Sequence, residues 1–245
     1  MRTLPITDYH IHIRGGMTAE KAAVRQAQTG IRSAVLENFG REWPLSDNAR
    51  LKAFIDACSQ VNAGGRRLPV GIKVNDRDWH TQIDPVIFKR LDFVLADTMI
   101  MGVTADGKPR RLWLPEVEID DSEGWMTQYL AHNLQILNEP ISILGNPTYL
   151  PPCIEGQYDE LWTEARMRQV IAGAVASGVA LEIQAESAFP KLSFLRLAKL
   201  MGAKFSFGTN NFTDEPKDLA RWLEVMDALD LQPSDLWHHP QAESS

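Results

Sequence analysis

Short apolar runs alternate with amphipathic stretches along the whole chain. Residues 6–13 (ITDYHIHI) have the pattern of a strand, and the stretch after Thr18 has helical periodicity up to Gly30. Thr18 is predicted to be the N-cap of this helix, and Gly30 lies just past its end. Six more strands are predicted, each followed by a helix: residues 33–39, 68–75, 91–99, 141–147, 179–186 and 203–211. This alternation indicates parallel strands joined by right-handed crossovers.

Two of the predicted helices are long, and one segment interrupts the alternation of strands and helices. Residues 158–178 are predicted as one helix, and residues 214–231 as the last long helix, capped by Thr213. Residues 100–120 contain an Asp-Gly turn between strand-like residues and are predicted to form a hairpin. This excursion is the candidate lid or oligomer contact of a single domain that spans residues 1–245.

The seven strand–helix units show no shift in composition and no low-complexity linker. An open, doubly wound sheet is one solution. A polar cluster follows every strand, however, and such clusters converge most simply when the sheet closes. We therefore predict an α/β fold, a distorted (β/α)7 TIM-like barrel, with its site at the C-terminal rim.

Composition excludes some classes of partner. The chain has 245 residues, 44% of them hydrophobic, which is enough for a large core. The net charge of −7 argues against a nucleic-acid or anionic-membrane surface but permits a small anionic substrate. No apolar run approaches about 18 residues, so no membrane span is expected. Cys58 and Cys153 lie far apart, which favours a reducing, cytoplasmic setting over a disulfide framework.

The first strand carries the most informative motif. Residues two apart on a strand share a face, so Asp8, His10 and His12 are predicted to point into the barrel, with Tyr9 and Ile11 outward. Two imidazoles at this spacing can bind one cation through their ring nitrogens. The alternative is a pair of hydrogen-bonded core histidines.

Polar side chains close the other six strands. Arg14 follows the histidines beside two glycines and is a candidate clamp for a carboxylate or phosphate, and Arg77 is a second candidate. For any single strand-end residue, a loop or helix-cap role is the alternative; Asn210 and Asn211 would then serve a turn. The strand-end set is Glu37, Asn38, Lys73, Asn75, Asp76, Asp97, Thr98, Asn146, Glu182, Gln184, Glu186, Asn210 and Asn211.

The D-x-H-x-H opening on strand one of a predicted seven-unit barrel resembles the PHP superfamily (polymerase and histidinol phosphatase) and, more distantly, the amidohydrolase barrels. Four further segments are similar to family motifs at matching places: 35–39 (VLENF), 70–75 (VGIKVN), 143–147 (ILGNP) and 206–212 (SFGTNNF). The resemblance implies a PHP-type barrel that hydrolyses phosphoesters with two or three divalent metals.

The chain departs from the family pattern at several ligand positions. Asn38 and Asn146 stand where the family has histidines, and Lys73 stands where a bridging glutamate is expected. Asn210 and Phe212 replace the final aspartate and histidine. A metal cluster needs anionic ligands, whereas asparagine is a poor ligand, phenylalanine is none and an ammonium repels the ion. The resemblance with these departures therefore implies a reduced site with one zinc, manganese or iron, or none. Its ligands would be His10, His12, Glu37 and Asp97.

Lys73 separates the alternatives. As an ammonium it favours an anionic ligand, and with a lowered pKa it would act as a base or form a Schiff base. If it were carboxylated, it would supply the missing anionic bridge. A buried lysine needs a nearby carboxylate, so a pair with Glu37, Asp97 or Glu182 is expected in every case.

Three functions follow and remain open at this point. The first is a metal-dependent hydrolase, phosphoesterase or amidohydrolase-like, that acts on a small anionic substrate with Glu182 as general base and Lys73 on the substrate anion. The second is a metal-independent enzyme that uses Lys73, and the third is a non-catalytic barrel that binds a polar ligand. The substrate-binding candidates are Arg14, Asn75, Arg77, Asn146, Asn210 and Asn211.

Overall fold

Seven parallel strands close into a barrel in the computed structural model, which describes residues 5–63, 65–104 and 106–239. The ends of the predicted 1–245 domain therefore lie outside the described residues. The strands follow each other around the barrel in chain order, and the last pairs with the first, with Asp8 opposite Phe207. The predicted fold class is confirmed. The strands are β1 Thr7–His12, β2 Arg32–Phe39, β3 Val70–Val74, β4 Phe93–Asp97, β5 Ile143–Gly145, β6 Ala180–Gln184 and β7 Phe205–Gly208.

Helices surround the barrel, and their apolar faces form the outer core against the strands. Across the described ranges, none of them is long and apolar enough to cross a membrane. Short 3-10 turns occur at Glu155–Gln157 and Pro233–Asp235. The helices are α1 Ala19–Thr29, α2 Asn48–Cys58, α3 Trp79–Gln82, α4 Pro85–Phe88, α5 Ser122–Ile136, α6 Tyr158–Leu161, α7 Glu164–Ser177, α8 Leu192–Leu200 and α9 Ala220–Leu229.

Local capping explains where α1 begins and where the predicted helix at 158–178 breaks. The Thr18 side chain accepts a hydrogen bond from the Lys21 amide, and Gly30 ends α1 in the left-handed conformation, as predicted. The prediction of one helix over 158–178 is wrong: Thr163 is an extended N-cap that starts α7 anew after the short α6. A strong capping residue inside a periodic stretch thus divides it.

The last long helix begins six residues later than predicted. Thr213 does not cap it; its amide and hydroxyl bond to Asn211 Oδ1 instead. Pro216 disfavours the helical conformation of the residue before it, so the chain stays irregular over 214–219. Asp218 then accepts a hydrogen bond from the Ala220 amide at the start of α9.

The predicted excursion after β4 contains an antiparallel hairpin of Ile100–Val103 and Pro109–Arg111. Arg111 lies over the rings of Trp43, 5.2 Å from its centroid, and Trp113, at 5.9 Å. The cation–π contact with Trp43 attaches the hairpin to the loop after β2. Its role as a lid or oligomer contact remains a prediction. A second two-stranded ribbon pairs Asn62–Ala63 with Arg66–Arg67.

The barrel interior has an apolar half and a polar half. The half near the N-terminal ends of the strands holds a separate hydrophobic cluster, on which Trp237 packs from outside. The half near the C-terminal ends holds the buried polar residues described below. The apolar cluster consists of Tyr9, Ala34, Leu36, Phe93, Leu95, Ile143 and Ala180, each at most 3% exposed.

A β-bulge in β1 corrects the predicted alternation of its faces. Asp8 lies opposite Ser33 but Ile11 lies opposite Val35, so three steps along β1 match two along β2. Tyr9 therefore joins the inner apolar cluster, whereas Ile11 belongs to the outer core as predicted. The prediction that Asp8 and His10 share a face is wrong, because the extra residue changes the side-chain parity between them.

Candidate active site at the barrel mouth

Two carboxylates hold the two histidines of β1 through the same ring nitrogen. His10 Nδ1 lies 2.5 Å from Glu182 Oε1, and His12 Nδ1 lies 3.3 Å from Glu37 Oε1. Both rings are fully buried, and their centroids are 5.2 Å apart. The Nε2 atom of each ring is buried without a hydrogen-bond partner among the described residues. An ionised carboxylate on Nδ1 places the proton there and leaves Nε2 with a lone pair that can accept a proton or bind a ligand.

The Glu182–His10 pair depends on its surroundings. Glu182 Oε2 accepts a hydrogen bond of 2.9 Å from the Asn146 amide, which fixes the second oxygen of the carboxylate. A Cβ at Gly208 would overlap Glu182 Oε1 and approach His10 Cβ to 2.8 Å. The glycine on β7 is therefore what allows the carboxylate and the imidazole to meet.

A buried ion pair lies across the barrel from the histidines. Lys73 Nζ on β3 is 2.8 Å from Asp97 Oδ2 on β4, so Asp97 is the partner among the three carboxylates considered for Lys73. Asp97 Oδ1 accepts hydrogen bonds of 3.0 Å from the Asn146 side chain and from the Met99 amide. Both oxygens of Asp97 are thus engaged, and the Lys73 ammonium has a charged partner in the protein interior.

Asn146 connects the two groups. It has a left-handed backbone (φ 50°), which asparagine tolerates. Its backbone N–H donates a hydrogen bond to Glu182, and its side-chain Nδ2 donates one to Asp97. Its Oδ1 accepts from Gln184 Nε2 at 2.5 Å, and its carbonyl accepts from Thr98. We did not predict site roles for Gln184 and Thr98, although Gln184 lies two residues after Glu182 on the same face of β6.

Two of the predicted anion-binding residues lie at different depths. Arg14 is at the rim, with a side chain 40% exposed, 3.8 Å from Glu37 Oε1 and over the Phe212 ring. Asn75 is buried, and its Nδ2 has no hydrogen-bond partner in the described part of the chain. Arg14 can therefore meet an incoming ligand, and Asn75 has an unused donor.

The remaining candidates are engaged in contacts that hold loops in place. Arg77 donates to the Asn75 carbonyl and lies 3.3 Å from Glu139, which follows α5. Asn211 is buried, and its side chain bonds to the backbone of Thr213 and Glu215. Asn210 has a left-handed backbone in the same turn. No contact in the described residues places the side chains of Arg77 and Asn211 with the histidines.

Burial sets the charge state of the site. It raises the pKa of Glu182 to about 7, against the opposing effects of the Asn146 amide and Lys73. It lowers the pKa of His12 to about 3 and that of His10 well below its usual range, so both imidazoles are neutral. For Asp97, burial would raise the pKa, but Lys73 and the hydrogen bonds hold it below its usual value. At neutral pH the site contains one firm ion pair, two neutral bases and a glutamate near its titration point.

The donor set does not fit the metal centre that the family resemblance implies. The described ranges contain no group of three or more histidine, cysteine or carboxylate side chains that could hold a metal ion. Glu37 and Asp97, the predicted carboxylate ligands, contact His12 Nδ1 and Lys73 instead. Three donor atoms lack a partner in the described residues, the two Nε2 atoms and Glu37 Oε2, but their side chains do not form such a group. A hydrolytic zinc needs about three converging protein ligands, and a cluster needs anionic bridges.

No protein-family model matches the chain, and no curated protein matches it by sequence. Among solved structures, the chain is similar to a histidinol phosphate phosphatase from Lactococcus lactis subsp. lactis Il1403, which was crystallised with zinc, L-histidinol and phosphate. The identity is 16%, the match covers 96% of this chain and 95% of that one, and the TM-score is 0.63. This likeness shows the fold, a closed (β/α)7 barrel.

A second similar structure is a citrate lyase from Burkholderia xenovorans LB400. Its identity is 11%, the match covers 93% of this chain and 77% of that one, and the TM-score is 0.43. At that TM-score the likeness carries no argument about this site.

Proposed function

We propose that the chain is a hydrolase that acts on a small anionic substrate at the mouth of the barrel, with His10 as the base that activates water. One observation carries the proposal: the buried Nε2 atoms of His10 and His12 have no partner in the described residues, while carboxylates hold both Nδ1 atoms. A buried imidazole nitrogen without a partner costs free energy unless a bound group uses it. Water and substrate are the natural groups to do so.

The Glu182–His10 pair supports general-base chemistry. His10 Nε2 would take a proton from a water molecule whose oxygen attacks the ester, and the imidazolium would return that proton to the leaving oxygen. Glu182 on Nδ1 would orient the ring and stabilise the imidazolium. His10 Nδ1 and Glu182 Oε1 are in hydrogen-bond contact, as this role requires.

The cations of the site support an anionic substrate. The Lys73 ammonium would stabilise negative charge that develops during attack, in the manner of an oxyanion site. Arg14 at the rim would bind the anionic group of the substrate with parallel hydrogen bonds. The contact of Lys73 with Asp97 supports this electrostatic role over a Schiff base. The same carboxylate, 2.8 Å away, would repel a carboxylated lysine.

In this proposal, Lys73 supplies the positive charge that a metal ion would otherwise supply. The zinc of the similar phosphatase is a property of that protein, and the described donor set of this chain does not fit such a centre. The divalent metal predicted from the family resemblance stays a prediction that metal analysis can decide.

One observation favours a second candidate, a barrel that binds a polar ligand without turning it over. Asn38 Oδ1 and Asn75 Nδ2 are buried and lack hydrogen-bond partners in the described part of the chain. A polar ligand that offers a donor and an acceptor would satisfy both atoms. This candidate needs no base, so the loss of His10 would affect it differently.

The test compares two matched histidine variants in metal-free buffer. Protein dialysed against a chelator is assayed with phosphomonoesters, phosphodiesters and lactones, beginning with p-nitrophenyl phosphate, and its metal content is measured. The proposal predicts turnover that falls about 10²–10⁴-fold in His10→Gln and is unchanged in His80→Gln, an exposed control. Turnover that needs about one added zinc, manganese or iron per chain would contradict it and support the metal-dependent hydrolase. Binding without turnover would support the polar-ligand barrel.

A further inference from the structure

A cavity of about 360 Å³ lies outside the barrel, between α1 and the segment that leads into α9. We call it the α1 cavity. Its volume is within the range of about 300–1,000 Å³ that small-molecule sites occupy. Its lining includes neither His10 nor His12, so it is distinct from the candidate active site. Its apolar lining consists of Met17, Val24, Ile31, Pro216, Leu219 and Trp222.

One cation in the α1 cavity is partly buried and incompletely paired. The Arg25 side chain is 16% exposed, and its NH1 atom is buried with no hydrogen-bond partner in the described ranges. Its NH2 atom lies 4.0 Å from Asp8 Oδ2, beyond hydrogen-bond distance. A buried guanidinium donor without an acceptor is costly and therefore points to a group that binds there.

Asp8 cannot supply the missing acceptor without losing other contacts. Its Oδ1 accepts from the His10 and Thr209 amides, at 3.1 and 3.0 Å, and its Oδ2 accepts from the Thr209 hydroxyl at 2.6 Å. These bonds attach β1 to the loop after β7. The carboxylate is thus held in place, and Arg25, which lines the cavity, retains an unused donor on NH1.

The other cations around the α1 cavity already have partners. Lys21 pairs with Asp214 at 2.9 Å and also donates to the Gly16 carbonyl, and Lys217 pairs with Glu186 at 2.7 Å. Their ammonium groups are at exposed positions, where such pairs contribute little. Arg25 is therefore the cation that a ligand inside the cavity would meet.

We propose that the α1 cavity binds a small carboxylate with an apolar body. Arg25 would receive the carboxylate through NH1, and the apolar walls would bury the hydrocarbon. The ligand has one charged end, because Arg25 NH1 is the buried donor without a partner in the described lining. The charged residues Glu20, Lys21, Asp214 and Lys217 also line the cavity, and the apolar residues would contact the hydrocarbon. The site adds to the proposed hydrolase activity and does not depend on it.

The test uses NMR titration of the full chain with three probes: sodium hexanoate, sodium acetate and 1-hexanol. Hexanoate carries both the charge and the apolar body, whereas each of the others carries one of them. The proposal predicts saturable one-to-one binding of hexanoate that shifts the Trp222 indole resonance, and at least about tenfold weaker binding of the other two. Trp222 is the reporter because it lines the cavity.

Variants of Arg25 decide whether the carboxylate is bound as proposed. Arg25→Gln is expected to weaken hexanoate about tenfold or more, and Arg25→Lys, which keeps the charge beside Asp8, to weaken it less. Arg196→Gln, on the exposed face of α8, is the control and should bind hexanoate as the wild type does. If Arg25→Gln fails to fold, Arg25→Lys still tests whether hexanoate binding needs the planar guanidinium group in addition to the positive charge.

Four results would overturn the proposal. Hexanol that binds as tightly as hexanoate would show that Arg25 plays no part. Equal affinity in wild type and both Arg25 variants would show the same. Saturable binding that leaves the Trp222 indole unshifted, or no saturation up to about 10 mM hexanoate, would show that the cavity is not the site.

Discussion

The two halves of the barrel interior use the same seven strands but opposite chemistry. Near the N-terminal ends of the strands, Tyr9, Phe93 and Leu95 belong to a cluster of apolar side chains. Near the C-terminal ends, Lys73, Asp97 and the pair of Glu182 with His10 occupy equally buried positions. The apolar half contributes stability by burial and packing. The polar half costs desolvation, which the ion pair and hydrogen bonds offset in part.

The difference between the two halves indicates which part of the barrel interior is functional. A sequence selected for stability alone would have apolar residues in the polar half as well, because the replacement of a buried ion pair by apolar side chains is often neutral or stabilising. Local departures from a consistent apolar interior are expected at functional sites. The comparison therefore supports the mouth of the barrel as the active site, and the following predictions would break or sharpen it.

The largest expected effect is on turnover. Glu182→Gln keeps the size of the side chain but removes the charge that stabilises a protonated His10, so kcat should fall about 10²–10⁴-fold. Steady-state kinetics with the substrate found in the screen measures this. A matched Glu160→Gln variant, at an exposed position on α6, should keep the wild-type rate. Equal rates in both variants would mean that Glu182 has no catalytic role.

The next effect concerns the buried ion pair. Lys73→Met leaves Asp97 as an uncompensated buried charge and should lower the free energy of unfolding by about 3–5 kcal/mol. The double variant Lys73→Met/Asp97→Leu removes both charges and should regain most of that loss. Chemical denaturation measures both values. A double variant that is less stable than Lys73→Met would show that the polar half stabilises the fold, against the comparison drawn above.

A third prediction concerns His132 on α5, which is buried outside the barrel interior. Burial lowers its pKa to about 4, below the unfolded value of about 6.5. The unfolded chain therefore binds a proton first as the pH falls. The neutral His132 contributes its full share to the free energy of unfolding above about pH 6.5. As the pH falls from about 6.5 to about 4, this contribution decreases by about 3 kcal/mol. Denaturation at several pH values should show that His132→Gln lacks this share of the slope, whereas His80→Gln retains it.

The smallest effect tests the space beside the Glu182–His10 pair. Gly208→Ala introduces a Cβ that would overlap Glu182, so it should cost about 1–3 kcal/mol of unfolding free energy and displace the carboxylate. Gly156→Ala is the matched control, because a Cβ there meets nothing within 4 Å. Equal stability and activity in the two alanine variants would show that Glu182 does not need the Gly208 position to be empty.

The barrel could be predicted because hydrophobic periodicity reports burial directly. The seven strands and the polar strand ends followed from that pattern, and Lys73 was expected to need a carboxylate. The β1 bulge was missed, because nothing in the alternation of residues 6–13 marks an extra residue. The start of α9 was missed because Pro216 and the Asn211 turn outweigh the periodicity that precedes Ala220.

The roles inside the site were harder to predict than its place. Asn146 was a single strand-end residue in the sequence, yet its left-handed backbone lets it contact both Glu182 and Asp97. Arg77 was grouped with the anion binders because of its sequence position, but it lies against Glu139. The direction in which each of these side chains points depends on the backbone conformation after the end of the strand. The type of side chain alone does not specify that conformation.

The most direct test of this account is the protonation state of the two imidazoles. Nitrogen-15 NMR of histidine-labelled protein at about pH 8.5, above the pKa of about 7 for Glu182, reports which ring nitrogen carries the proton. The account predicts that His10 and His12 are both neutral, with the proton on Nδ1 and a bare Nε2. A proton on Nε2 of His10, or a cationic ring, would contradict the claim that the glutamate-held histidine offers a free base to the barrel mouth.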